Sequence, residues 1–227
     1  MAYIVLFDID KTLIKRSNAH FKAFLFSVKS VYNIEIEPNI IKHYGMTDQQ
    51  IIKEVLKAKG LDDNYIESKI QTCIQIMIDK FFELNVNEDI ELLPGVLQLL
   101  EELKRRGVLL GLVTGNVERI AWAKLKKAKI ANYFKFGGFG SDNIDRKEIA
   151  KTSFKRCTEI FKLNEENDVF LFGDTPYDIE AAKAIGAVAI GVATGYPSMD
   201  ELILSGADIV FENLADTSSV IKAIFNK

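Results

Sequence analysis

Five short runs of apolar residues set the strongest constraint on how this chain can fold. They are Tyr3–Phe7, Val108–Val113, Val169–Phe172, Val188–Val192 and a weaker Ile209–Phe211. None alternates apolar with polar residues, so each reads as a strand buried on both faces, as in a parallel sheet. Helical patterns separate them. Val96, Leu99, Leu100 and Leu103 keep the spacing of one apolar helix face, with Pro94 where that helix would start and Gly107 where it would stop. Ile179, Ala182 and Ile185 outline another helix, closed by Gly186. Alternating strands and helices predict an α/β fold with a Rossmann-like, doubly wound parallel sheet as its core.

The stretch from Ser17 to Asn87 breaks this rhythm. It holds no convincing strand and reads as several helices, marked by Phe21, Phe24, Leu25 and Val28, by Ile51, Ile52, Val55 and Leu56, and by Ile66, Ile70, Ile74, Met77, Ile78 and Phe81. The expected organisation is a core of residues 1–15 and 91–227, with an all-helical domain of residues 16–90 inserted after the first strand. A chain of 227 residues has room for one such domain plus a smaller insertion.

Charge and cysteine content narrow the function classes. A net charge of −3 supplies no footprint for nucleic acid, and the cluster Lys124, Lys126, Lys127 and Lys129 reads as a solvated helix face. Cys73 and Cys157 lie far apart in apolar helical patterns and are expected to be buried thiols rather than a disulfide. The apolar run Ala2–Phe7 has no basic leader and is too short to span a membrane, so a cytoplasmic protein is the default expectation. Oligomeric state cannot be read from these features.

In an open parallel sheet, ligands bind beyond the carboxyl ends of the strands. Three polar tips should meet there: Asp8-Ile9-Asp10-Lys11-Thr12, Thr114-Gly115-Asn116, and Gly173-Asp174 with Asp178 one helical turn on. Carboxylates brought this close repel one another unless a cation lies among them, and oxygen ligands favour a hard ion such as Mg²⁺. With only His20 and His43 in the chain, a zinc site is poorly supported. No serine nucleophile elbow and no phosphate-binding P-loop is present.

These tips resemble the motifs of the haloacid dehalogenase-like hydrolase superfamily, on its phosphatase branch. Asp8-Ile9-Asp10-Lys11-Thr12-Leu13 is similar to the first motif, Asp-x-Asp-x-Thr-Leu. Leu112-Val113-Thr114-Gly115-Asn116 is similar to the second, and Gly173-Asp174-Thr175-Pro176-Tyr177-Asp178 to the fourth. The helical insertion resembles a cap domain of that family.

The resemblance implies a Mg²⁺-dependent phosphatase acting on a small phosphorylated metabolite through an aspartyl-phosphate, similar to phosphoglycolate phosphatase. A phosphomutase of the β-phosphoglucomutase type and a non-catalytic member that binds a phosphorylated ligand are the alternatives. A phosphonate-cleaving relative would need a cap lysine, for which Lys42 and Lys53 are open. By position, Asp8 would be nucleophile and metal ligand. Asp10 would be general acid and base, with its carbonyl on the metal. Thr114, Gly115 and Asn116 would hold the phosphoryl oxygens, and Asp174 and Asp178 would bind or support the metal. Side chains two apart at a strand's end should point to the same side, so Asp8 and Asp10 are expected together.

The third motif is a single cation, and here Arg146 and Lys147 compete for it. Lys147 is the favoured catalytic candidate, because a compact ammonium suits a point contact to Asp8 and phosphate; Arg146 is then a substrate contact and Lys151 an outside candidate. Lys11 stands where many relatives have a small residue such as glycine, which should alter the loop or the charge at the entrance. The segment His43-Tyr44-Gly45-Met46-Thr47-Asp48 is similar to a cap loop that touches substrate, or is a plain interhelix turn with Thr47 as its cap.

Overall fold

A computed structural model describes residues 2–37, 44–163 and 167–226. Lys42 and His43 lie outside the described residues. Six parallel strands form one sheet in the order β3-β2-β1-β4-β5-β6. They are β1 (Ala2–Phe7), β2 (Leu109–Val113), β3 (Phe136–Gly138), β4 (Asn167–Gly173), β5 (Val188–Val192) and β6 (Ile209–Phe211). Five answer the apolar runs. β3 was not expected: three residues, two of them glycine, carry too little apolar pattern to read as a strand.

Along β1 the side chains alternate between two cores. Val5 and Phe7 join a cluster with Leu99 and Leu103 of α4 (Val96–Arg105), Leu125 of α5 (Glu118–Lys127) and Ile224 of α9 (Thr217–Phe225). Ile4 and Leu6 face a second cluster with Ile149 and Cys157 of α6 (Arg146–Phe161), Ile179 of α7 (Pro176–Ala184) and Leu202 of α8 (Met199–Leu204). A strand covered on both faces has no use for alternating polarity, which explains the unbroken runs. The rings of Phe7 and Phe172 stack at 4.9 Å across the β1–β4 pair.

Between β1 and α4 the chain forms α1 (Asn18–Tyr32), α2 (Asp48–Ala58) and α3 (Asp63–Asn85). These helices pack around their own core of Phe24, Val28, Val55, Ile70, Met77 and Phe81, which Val117 and Ile120 join from the start of α5. The two chain segments entering and leaving this block run side by side. Lys15 N donates to Glu91 O at 3.0 Å and Leu93 N to Leu13 O at 3.0 Å. Glu88 reaches across to the start of α1, accepting from Asn18 N at 2.5 Å and Ala19 N at 3.0 Å. A carboxylate at a helix N-terminus satisfies amides that have no partner within the helix.

Cys73 and Cys157 are both buried free thiols. Among the described residues, no helix is long and apolar enough to cross a membrane.

Candidate active site

The sheet order puts β1 at the centre, with β2 and β4 on either side, so their carboxyl ends open onto a shared crevice. A cavity of about 180 Å³ lies there, bordered by Asp8, Asp10, Gly115, Asn116, Arg146, Asp174 and Asp178 on the sheet side. Residues from α1 and α2 form the opposite wall.

Asp8, Asp174 and Asp178 are buried, and one carboxylate oxygen from each lies within 4.8 Å of the others. Loss of water pushes the Asp8 carboxyl up to about 7; the nearby Asp178 and Asp10 push the same way, and Arg146 offsets them only in part. Asp174 is raised well above the usual carboxylate range, again chiefly by burial and then by Asp8 and Asp178. No hydrogen bond to the Asp174 carboxylate is present among the described residues. Asp178 differs. Its Oδ1 accepts from Arg146 Nε at 3.1 Å and Nη2 at 2.6 Å, and its Oδ2 accepts from Thr175 N at 3.1 Å and Thr175 Oγ1 at 2.7 Å. It therefore caps the start of α7 and anchors Arg146 at once. Gly173 permits this packing, since a Cβ there would lie 2.2 Å from the Asp178 side chain.

Arg146, not Lys147, stands beside Asp8. Arg146 Nη2 donates to Asp8 Oδ1 at 2.5 Å, and the guanidinium is only 5% exposed. Lys147 is exposed, with its ammonium 3.9 Å from Asp145 Oδ2. The expected contact from Lys147 to Asp8 is absent for a geometric reason. Asp145 caps α6, both residues fall in its first turn, and successive helical side chains point about 100° apart. Only Arg146 faces the crevice, and its forked head reaches two carboxylates that an ammonium would contact singly. Lys151 pairs with Glu148 on the surface, and Lys53 pairs with Glu67.

Asp10 has a separate environment. Lys124 Nζ lies 2.8 and 2.7 Å from its two carboxylate oxygens and 2.6 Å from Asn116 Oδ1, while Asn116 Nδ2 donates to Asp10 Oδ2 at 2.8 Å. Burial acts to raise Asp10, but Lys124 and His20 together hold it below its ordinary range. Burial thus favours the protonated form of Asp8, while Lys124 and His20 favour the ionised form of Asp10. Lys124 overturns the reading of its cluster as a solvated face: its side chain is 1% exposed, whereas Lys126 and Lys129 are exposed. The sequence carried one usable signal for it. Ala121, Lys124 and Leu125 follow helical spacing, so Lys124 falls on the buried stripe of α5.

Thr114 is fully buried, and its hydroxyl accepts from Asn116 N at 3.3 Å and Nδ2 at 2.9 Å. Gly115 and Asn116 border the cavity; Thr114 supports them from outside its lining. Gly115 also receives the helical block. Asp48 N donates to Gly115 O at 3.0 Å, and a Cβ on Gly115 would lie 2.6 Å from the Met46 carbonyl oxygen. Asp48 Oδ2 accepts from Val117 N at 2.8 Å, and Oδ1 lies 3.2 Å from His20 Nε2. Thr47 caps α2 by accepting from Gln50 N at 3.2 Å, while Tyr44, Gly45, Met46 and Asp48 border the cavity. The 44–48 segment is therefore both a helix cap and a cavity wall.

Lys11 takes a left-handed backbone with φ 65°, which glycine adopts freely and which costs other residues about 1–2 kcal/mol. Its carbonyl accepts from the Thr194 hydroxyl. Its ammonium sits 3.1 Å over the Tyr196 ring, which stacks at 4.1 Å on Tyr44. Lys11, Tyr44 and Tyr196 thus share one edge of the cavity.

Comparison with known proteins gives a consistent family. A family model for haloacid dehalogenase-like hydrolases matches residues 5–192. PpaX of Clostridium perfringens, whose name assigns it provisionally as a pyrophosphatase, is 27% identical over 225 residues, spanning 99% of this chain and 99% of its own. The phosphoglycolate phosphatase of Pseudomonas putida is 23% identical over 212 residues, 93% of this chain and 76% of its own. The crystal structure of CbbY from Rhodobacter sphaeroides in complex with phosphate superposes with a TM-score of 0.74 at 19% identity, covering 95% of this chain and 96% of its own.

Proposed function

Because the chain belongs to the haloacid dehalogenase-like hydrolases, we propose that it is a Mg²⁺-dependent phosphoric monoester hydrolase that uses Asp8 as its nucleophile. The observation that carries this reading is the meeting of Asp8, Asp174 and Asp178 within 4.8 Å, with Arg146 bonded to the first and last. Relatives named as phosphatases and a phosphate complex of a similar fold support it.

The donor set fits a hard cation: oxygen ligands only, with Asp174 buried and lacking a hydrogen bond among the described residues. Asp8 and Asp174 would supply the carboxylates, with the Asp10 carbonyl beside them. Both oxygens of Asp178 are committed to Arg146 and Thr175, so it supports the site from behind. When bound, Mg²⁺ would neutralise charge on the phosphoryl group and keep Asp8 ionised.

The chain's own residues then divide the work. Arg146 orients the Asp8 carboxylate and holds a phosphoryl oxygen, with the amides near Gly115 and Asn116 as further donors. Asp8 attacks phosphorus, and the ester oxygen leaves with a proton from Asp10. Asp10 then takes a proton from water, which attacks the aspartyl-phosphate and releases Asp8 and inorganic phosphate. Lys124 lowers the proton affinity of Asp10, and a phosphoryl dianion beside Asp10 raises it again. The local field therefore favours proton uptake when substrate is bound and proton loss afterwards. Residues 16–90 act as a cap over this site, moving about the paired segments at Lys15 and Glu91 and closing through Asp48 on Gly115.

Phosphomutase chemistry would need the second phosphate of a sugar bisphosphate to be held in the same cavity, where Arg16 and Lys11 stand beside Phe21, Phe24 and Ile51. Turnover of a panel of small phosphate esters, with Mg²⁺ and after chelation, tests the reading. Inorganic phosphate should be released only with the metal. Undiminished release after exhaustive chelation, or sugar-phosphate interconversion in place of release, would contradict it.

A further inference from the structure

The two walls of the cavity differ in chemistry. The sheet side is charged. The opposite wall presents Phe21 and Phe24 from α1, Ile51 and Val55 from α2, and Ile36 from the link between them. Phe24 and Val55 are buried and the other three half-buried, so this is the edge of the helical core turned toward the ligand space.

Two of the polar groups that interrupt this wall are paired within the protein. His20 pairs with Asp48 at 3.2 Å, and Ser17 Oγ donates to Glu88 at 2.6 Å. The Arg16 guanidinium lies 4.6 Å over the Phe21 ring and Lys11 lies over Tyr196, ring contacts that leave the positive charge of both in place. Away from these groups the wall is apolar. A second anionic group seated against the phenyl and branched aliphatic side chains, away from Arg16 and Lys11, would lose its water there, with the Asp48 carboxylate nearby. Burying a charge without a partner is costly, whereas an apolar group there displaces poorly bonded water.

The size of the space agrees. The phosphoryl group and the alcohol share about 180 Å³, and a cavity of about 150 Å³ lined by Leu, Ile and Phe accepts one benzene ring, so the alcohol can carry no more than one ring. The geometry points to a substrate class: phosphate monoesters whose alcohol carries an aromatic ring or a branched apolar chain a few bonds from the ester oxygen. Compact esters with a second acid, such as phosphoglycolate, and pyrophosphate fit the wall less well. This rests on the reading of the site as a phosphate-ester hydrolase and adds which esters it takes.

The test uses alcohols of similar leaving tendency, so that binding and not bond strength sets the order. The wild-type enzyme with Mg²⁺ is assayed on ethyl, 3-methylbutyl and 2-phenylethyl phosphate, and on phosphoglycolate and pyrophosphate. kcat/KM should rise along the first three by on the order of 100-fold in total, mostly through KM, since pocket contacts of even one methylene are worth about 10–200-fold. Phosphoglycolate and pyrophosphate should do no better than ethyl phosphate. In parallel, calorimetry with non-hydrolysable phosphonates should show 2-phenylethylphosphonate binding at least about tenfold tighter than phosphonoacetate. Ile51→Asn should shrink both preferences; Phe21→Ala serves the same purpose if that variant does not fold. A flat order, or preference for the dianionic probes in either assay, overturns the inference and leaves the hydrolase reading intact. Apolar preference in calorimetry with no ester turned over overturns the hydrolase reading while the wall keeps its assignment.

Discussion

Nη2 of Arg146 lies 2.5 Å from Oδ1 of Asp8 and 2.6 Å from Oδ1 of Asp178, so one buried guanidinium ties the carboxyl end of β1 to the start of α7. Removing it would leave two buried acids facing each other. Arg146→Met should therefore lower stability by about 3–5 kcal/mol, the usual effect of stripping one partner from a buried ion pair, and abolish measurable turnover. Lys147→Met, a change on the exposed side of the same helix turn, should shift stability by less than about 0.5 kcal/mol and leave turnover intact. Denaturant melts and initial rates on both variants check this pair of outcomes.

The Lys124–Asp10 contact predicts a catalytic loss without a binding loss. Lys124 is 1% exposed and holds both Asp10 oxygens. Lys124→Met should reduce kcat on the order of 10²-fold, the lower range for general acid–base catalysis, with KM changed little. Lys124→Arg should not restore it, because a planar guanidinium cannot set one nitrogen on both Asp10 oxygens and Asn116 Oδ1 as the ammonium does. A loss confined to KM would place Lys124 on the substrate instead.

Stability should depend on pH and on metal together. Asp8 is raised to about 7 and Asp174 is also raised well above the usual range. Between an ordinary carboxylate pKa near 4 and these folded values, the native state binds more protons than the unfolded chain. Unfolding free energy of the chelated protein must then fall as pH rises through that window, and the protein should melt lower at pH 8 than at pH 5. Mg²⁺ should remove most of the slope, whereas Asp174→Asn should remove only the share of Asp174 itself, because burial keeps Asp8 raised. Thermal melts at the two pH values, with and without chelator, measure it.

The proposed closure of residues 16–90 over the site depends on a narrow contact. A Cβ at position 115 would meet the Met46 carbonyl at 2.6 Å and Thr47 Cα at 3.0 Å, forcing the 46–48 segment away. Gly115→Ala should raise KM by about tenfold or more through lost positioning, with less effect on stability than Arg146→Met. An unchanged KM would mean that the segment does not need this approach for binding.

The legible parts of this molecule were those with long-range consequences written into local pattern. Unalternated runs such as Val169–Phe172 announced strands buried on both faces, and the apolar spacing of Ile51, Ile52, Val55 and Leu56 announced a helix. β3 escaped because Phe136–Gly138 has one apolar side chain and is held in place by its neighbour β2. At the site, Asp8, Asp10, Asp174 and Asp178 announced themselves by their positions after strands. The choice between Arg146 and Lys147 did not, because it turns on the rotation of α6 about its axis, and this is set by tertiary packing. Lys124 was hidden by company: three neighbouring lysines on the solvent side masked the one on the buried stripe.

The most direct measurement is the identity of the residue that becomes phosphorylated during turnover. The enzyme with Mg²⁺ is mixed with a labelled activated phosphate ester, quenched in acid within milliseconds, digested and mapped by mass spectrometry. Phosphate should be found on Asp8, should be absent from Asp8→Asn, and should accumulate in Asp10→Asn, where the second step lacks its base. Label on another residue, or sustained turnover by Asp8→Asn, would contradict the assignment of Asp8 as nucleophile.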